Sequence, residues 1–313
     1  MKKNSRIYVA GHTGLLGSAA CRVLRQRGYA NLVLRDHGEL ELTDQAAVDE
    51  FFRAERPEYV FLLAGLTGGI QRNNSIPAEM IHTNLAIEVN VIHLACVHGV
   101  KKLLFPGSAC SYPKECPSPI LPEAMMTAPL ERTSEPFAVA KIAGIRMCQA
   151  YNRQYGTKFI SVIPATTYGP KDHFDDGGHV VASLMARCHA AKVTGSPELA
   201  VWGTGRPRRE FLYADDAAEA MAVLMETYEG SEIIHIGAGQ DISIAELARQ
   251  IADVVGYQGR LAFDATKPDG TSRRLLNSRR IAELGWRPRT SLTEGLRSMY
   301  SWYRQNVSAT VHL

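Results

Sequence analysis

At 313 residues, with 45% hydrophobic and 21% charged side chains, the chain has an ordinary globular composition and length enough for one large unit or two unequal lobes. A formal net charge of +3 is too small to argue for nucleic acid or an anionic membrane as a partner. No run of eighteen apolar residues occurs, and the apolar stretch Ile7-Tyr8-Val9-Ala10 behind the basic start is too short for a signal-peptide core, so a cytoplasmic protein without a membrane partner is expected.

In chain order, residues 6–10, 32–35, 59–63 and 102–106 form short apolar runs bounded by Gly, Pro or polar residues, and they predict strands. Residues 16–27, 44–55 and 78–98 lie between them with apolar positions at helical spacing. Such alternation predicts an α/β fold with a Rossmann-type, doubly wound parallel sheet. A Pro-rich loop (113–129), a helix (137–154) and a strand (158–164) follow. Beyond Tyr168-Gly169-Pro170 glycines punctuate shorter elements, with helices expected at 180–191, 243–255 and 290–303. The expected division is a dinucleotide-binding domain over 1–165 and a smaller α/β substrate lobe over 166–313. A late strand–helix unit (211–225, within 208–236) returns to the main sheet.

The six cysteines, at 21, 96, 110, 116, 148 and 188, have no metal-ligand spacing, so neither structural metal nor a disulfide framework is expected. Gly11-His12-Thr13-Gly14-Leu15-Leu16-Gly17 directly follows the first strand and opens the first helix. Glycines at this spacing permit a tight turn, close approach of a pyrophosphate and tight helix–strand packing, while the helix N-terminus offers free N–H groups to the anion. Gly11, Thr13, Gly14, Leu15, Leu16 and Gly17 are therefore candidate dinucleotide contacts. After the second strand stand Arg35 and Asp36: a carboxylate there suits the 2′-hydroxyl of NAD, an arginine the 2′-phosphate of NADP. Asp36 leans the reading to NAD.

The glycine turn, Gly107-Ser108-Ala109-Cys110 and Lys141 resemble the extended short-chain dehydrogenase/reductases. Longer segments resemble the GDP-L-fucose synthases within them: Ser108-Ala109-Cys110-Ser111-Tyr112-Pro113-Lys114, Ala140-Lys141-Ile142-Ala143-Gly144-Ile145, Val201-Trp202-Gly203-Thr204-Gly205, Arg208-Arg209-Glu210-Phe211 and Lys267-Pro268-Asp269-Gly270. The resemblance implies epimerisation of GDP-4-keto-6-deoxy-mannose at C3 and C5, then NAD(P)H-dependent reduction at C4 to GDP-L-fucose. It also implies a homodimer through the helices at 78–98 and 137–154.

It implies site residues as well. Ser108 and Lys141 match the reductive core, and Lys141 and His179 also face the cofactor. Phe137 stands where the family has its proton-donating tyrosine. A phenyl ring has no proton to give, so impaired reduction is expected; an engineered Tyr→Phe change and a natural divergence towards epimerisation both account for it. Cys110 and His179 match the epimerising acid–base pair, although residue type alone reads Cys110 as a core thiol and His179 as a loop or cap histidine. For the GDP-sugar the resemblance implies Val180, Leu184, Arg187, Trp202, Arg208, Arg209 and Lys267, with arginine suited to a diphosphate by its planar fork. A helix core face explains Val180 and Leu184 equally well. Family members carry arginines near Thr13 and His37 and an asparagine where this chain has Thr166; the first departure strengthens the lean to NAD, and the second opens the sugar specificity. The alternatives are an enzyme acting on another GDP-4-keto sugar (a deoxyheptose or colitose precursor) and a non-catalytic nucleotide-sugar binding protein.

Overall fold

The computed structural model describes residues 1–175, 177–267 and 269–308. Strand β1 (Ile7–Ala10), buried throughout, leads into α1 (Leu15–Gln26), β2 (Leu32–Val33), α2 (Gln45–Glu55) and β3 (Tyr59–Leu62). A short α3 (Ile70–Ser75) precedes α4 (Pro77–Val97), followed by β4 (Lys102–Pro106), α5 (Glu135–Tyr155) and β5 (Phe159–Pro164). Then come β6 (Thr166–Tyr168), α6 (Val180–Val193), β7 (Glu198–Trp202), β8 (Arg208–Arg209), β9 (Phe211–Tyr213) and α7 (Ala214–Thr227). The described chain continues through β10 (Ile234–Ile236), β11 (Ile242–Ser243), α8 (Ile244–Val255), β12 (Arg260–Asp264), β13 (Arg273–Arg274), α9 (Arg279–Glu283) and α10 (Leu292–Asn306).

Six strands form one parallel sheet in the order β10-β5-β4-β3-β1-β2. This is the expected Rossmann-type α/β fold. Every residue of β4 and β5 is buried, so both faces of the sheet are covered, as parallel sheets require. From β1 the chain crosses one way to β2 and the other way to β3. The carboxyl ends of β1 and β3 therefore flank the switch point, where such folds hold ligands. Helix α1 packs on α7, and α4 on α2 and α5. The α1–α7 contact is close because its buried residues are small: Gly17, Ser18, Ala19 and Ala20 on one side, Ala214, Ala217 and Ala218 on the other.

Three features depart from the sequence reading. The strand expected over 32–35 has ladder partners only at Leu32 and Val33, because Arg35 turns to pair with Glu55 and Asp36 closes a turn. In the 211–225 unit, β9 does not enter the main sheet. It forms a separate parallel pair with β6 (Thr166↔Phe211), and β10 is the strand that joins β5. Buried Glu210 accepts the N–H groups of Gly239 (2.7 Å) and Leu276 (3.0 Å), which anchors the start of β9 to the segments around it. Finally, α4 is long and apolar enough to cross a membrane, with a mean hydropathy of 1.3 over its most apolar window. Half of that window is buried, and Asn84 and Asn90 bond to backbone carbonyls inside the protein, the habit of a core helix.

Buried apolar residues fall into two clusters. The first surrounds the six-stranded sheet and takes in Leu212, Met221, Ile234, Leu276 and Trp286 from the second half. The second gathers Tyr168, Val181, Met185, Phe211, Leu247, Ile251, Leu296 and Tyr300. Helices α8 and α10, which contribute to it, each begin with a capping box, Ser243 with Glu246 and Ser291 with Glu294.

Candidate active site

The turn between β1 and α1 needs glycine at two positions. Gly11 has φ 75°, and a Cβ there would stand 2.7 Å from the Ala64 backbone; a Cβ on Gly17 would meet the Gly11 carbonyl at 1.9 Å. Gly14 caps α1 without a side-chain hydrogen bond, and the first turn of the helix carries no acidic residue. The helix thus presents uncapped N–H groups and its positive end beside exposed Thr13 and Gly14, while half-buried Leu15 and Leu16 pack towards the core. These residues fit a dinucleotide pyrophosphate. Beyond β2, Arg35 pairs with Glu55, and the Asp36 carboxylate accepts from Gly38 N (2.9 Å) and Glu39 N (3.0 Å). Asp36 Oδ1 is thus engaged in closing its own turn.

At the end of β4, Ser108 caps a short 3-10 turn, its Oγ accepting from Cys110 N at 3.2 Å. Ser108 and Cys110 are thus held in one rigid turn. On α5, Lys141 Nζ lies 2.9 Å from Glu88 Oε1 of α4, the side chains being 7% and 1% exposed. The ammonium also faces the Phe105 ring (4.9 Å to its centroid) and the Phe137 ring (5.6 Å). Phe137 therefore stands one helical turn before Lys141, against its cationic end, with no hydroxyl. Burial pushes the Glu88 carboxyl above its ordinary pKa, and the Lys141 charge opposes the rise.

His179 caps α6, and its Nδ1 lies 3.3 Å from Oδ1 of Asp172. Burial opposes a charge on the ring, but the Asp172 hydrogen bond and charge outweigh it and raise its pKa above 6.5. The loop carrying His179 is tied to the first half of the chain, since Gly69 N donates to Gly177 O at 2.8 Å. Near by, the exposed Ile70 side chain reaches towards Gly270, which also lies against the Arg209 guanidinium.

The sequence-selected substrate residues separate into groups. Trp202 is 55% exposed, and Lys267 Nζ sits 5.6 Å from its ring centroid. Pro268 of the Lys267-Pro268-Asp269-Gly270 segment lies outside the described residues, whereas Asp269 accepts Thr204 N at 2.9 Å. Strands β8 and β13 pair in parallel, setting Arg208 beside Arg273 and Arg209 beside Arg274. The first two share the carboxylate of Asp241, at 2.6 and 2.5 Å. Arg208 is thereby occupied. Arg209 and Arg274 have no carboxylate partner among the described residues; Arg209 bonds the Arg208 carbonyl at 2.8 Å, and Arg274 Nη1 is buried without a hydrogen-bond partner. Burial lowers the pKa of both guanidinium groups, and Cys110 is an electrostatic neighbour of each. Val180 is half-buried at the start of α6, Arg187 donates to Ala200 O at 3.0 Å, and Leu184, 3% exposed, packs in the second core.

Sequence reading missed Glu88, Asp172 and Arg274. Glu88 carried a signal: with Met80, Asn84 and Val91 it lies at helical spacing on the buried side of α4, where an unpaired carboxylate is costly. Asp172 and Arg274 carried none, because their partners are set by loop and strand geometry. No group of three or more His, Cys, Asp or Glu suited to a metal occurs among the described residues.

The model of the NAD dependent epimerase/dehydratase family matches residues 7–237. The chain is 53% identical over 306 residues to GDP-L-fucose synthase 1 of Arabidopsis thaliana, covering 97% of this chain and 95% of that protein. The chain belongs to the GDP-L-fucose synthase family. Among solved structures it is similar to a GDP-6-OMe-4-keto-L-xylo-heptose reductase from C. jejuni (TM-score 0.92, 37% identity, 97% of this chain and 99% of that one). It is also similar to a GDP-mannoheptose C4 reductase from Campylobacter jejuni with NADP bound (TM-score 0.90, 38% identity, 97% and 99%). A relative of this fold thus holds NADP, and the lean to NAD finds no support in the comparisons.

Proposed function

We propose that this family member converts GDP-4-keto-6-deoxy-mannose to GDP-L-fucose, inverting C3 and C5 and then reducing C4. The observation that supports the reading is a pyrophosphate cradle, with Gly11 and Gly17 packed too closely for any side chain, at the N-terminus of an uncapped α1; Cys110 and His179 are the proposed acid–base pair. The C4 ketone acidifies the protons on either side of it. Cys110 removes one from carbon, the carbonyl becomes an enolate, and His179 returns a proton to the opposite face. Arg209 and Arg274 bind the diphosphate, Trp202 and Lys267 flank the nucleoside, and the part of residues 166–313 that gathers in the second apolar cluster forms the substrate lobe.

NADPH is the proposed reductant, in line with the NADP-bound relative. When bound, it supplies the hydride for C4. Lys141 holds the ribose, and Ser108 takes the carbonyl oxygen, but Phe137 gives no proton, so reduction is slow relative to epimerisation. A homodimer through α4 and α5 is also proposed, because Val89, Val97, Val139 and Tyr155 leave apolar surface exposed there.

Incubation with the 4-keto sugar and either NADPH or NADH tests this reading. Formation of GDP-L-fucose with NADPH, slowly, is expected; absence of any sugar product with both would overturn it. The likeness to the heptose reductases favours a second reading, a longer sugar at C5, which faster turnover of a GDP-4-keto-heptose would support.

A further inference from the structure

Asp172 belongs to no recognised motif of the site, yet its side chain is 1% exposed. Lys171, immediately before it, has φ 66°, a left-handed backbone costly for a residue with a side chain. Oδ1 accepts from His173 N at 2.9 Å and lies 3.3 Å from His179 Nδ1; Oδ2 is buried with no partner among the described residues. A buried carboxylate so poorly satisfied needs a cation, and the imidazole beside it can become one. His179 itself is 35% exposed on its side chain and makes no capping bond to α6. With Nδ1 held, Nε2 is the nitrogen left to face a bound molecule.

We propose that Asp172 is a positioning residue for His179: it fixes the proton on Nδ1, aims Nε2 at the sugar and favours the doubly protonated ring that donates to carbon. The inference rests on the epimerase reading above. In each inversion one proton leaves carbon for Cys110 and another passes from Nε2 of His179 to the opposite face. The thiol and the neutral ring then exchange protons with solvent, so no oxidant or reductant is consumed. Among the described residues, Lys171 and His173 flank Asp172 in the chain. Asp175, on the same loop, accepts Gly177 N, and Arg72 of α3 lies along Gly177. The N-terminus of α6 and burial both disfavour a charged imidazole; among the described residues Asp172 is the group that favours it.

The test compares the full-length wild type with Asp172→Asn by two readouts. In histidine NMR, with the His179 signal assigned by its loss in His179→Gln, the wild-type ring should titrate above 6.5 and the Asp172→Asn ring about one pH unit or more lower. In D₂O, deuterium entry at C3 and C5 should slow about ten-fold or more in Asp172→Asn, its alkaline limb shifted to lower pH and the KM for the sugar nucleotide unchanged. A wild-type ring titrating at or below 6.5, or identical titrations in the two proteins, overturns the proposal, and the wild-type measurement stands even if the variant does not fold. Absence of exchange in the wild type, with the titrations as expected, would instead sink the epimerase reading and leave the pair intact.

Discussion

Lys141 and Glu88 form an ion pair away from water, Nζ to Oε1 at 2.9 Å, joining the two long helices that flank the candidate site. Such a pair is a weak source of net stability but costly to break, because the survivor keeps its charge without a partner. Glu88→Ala should destabilise the protein by about 3–5 kcal/mol. Glu88→Gln, which retains a hydrogen-bonding oxygen, should cost less. Urea unfolding of the three proteins checks both; equal midpoints would mean that the pair is not held in solution.

Phe137 lies against the same ammonium, its ring centroid 5.6 Å from Lys141 Nζ. Phe137→Tyr should raise C4 reduction by about 10²–10⁴ while leaving deuterium exchange at C3 and C5 within a few-fold. Single-turnover oxidation of NADPH is the appropriate measurement. An unchanged rate would show that another group already supplies the proton.

The glycine turn allows a paired comparison. Gly14→Ala places a Cβ 3.6 Å from the Gly11 carbonyl, ordinary contact, whereas Gly17→Ala places one at 1.9 Å. The first should change NADPH affinity only a few-fold. The second should weaken it by about a hundred-fold or more, roughly 3 kcal/mol. Fluorescence titration distinguishes them, and equal affinities would remove the cofactor from this turn.

The buried His235 ring, 2.6 Å from the Tyr112 hydroxyl, predicts a pH dependence of stability away from the site. Burial holds its pKa down at about 4. Between about 6.5 and 4 the unfolded chain binds a proton that the folded one excludes, so stability falls as pH drops through that window, by at most roughly 1.4 kcal/mol per pH unit. His235→Gln should flatten the slope in that range, as read from unfolding midpoints at pH 4.5, 5.5 and 6.5.

Those residues also mark what could be read in advance. The main sheet was legible because β1, β3, β4 and β5 are predominantly apolar runs, interrupted only by Lys102 and Ser161, and separated by helical periodicity. The Gly11–Gly17 turn was legible because its steric demand is local. The pairs β6–β9 and β7–β12 were not: these strands have three to five residues, and their partners lie about 45 to 60 positions away. The local role of Asp36 was not legible either, since nothing in residue type reveals that its Oδ1 closes a turn with Gly38 and Glu39. His179 and Lys141 were chosen by resemblance; Glu88, the partner of Lys141, could have been picked out by its place on the buried side of α4, whereas Asp172, the partner of His179, emerges only when the chain is folded.

The most direct trial of the central claim is proton exchange at carbon, observed by NMR on GDP-4-keto-6-deoxy-mannose in D₂O with no reducing dinucleotide present. Deuterium should enter at both C3 and C5, and the Cys110→Ala and His179→Gln proteins should lose that exchange. A wild-type protein that binds the sugar nucleotide yet leaves both carbons protonated would contradict the account.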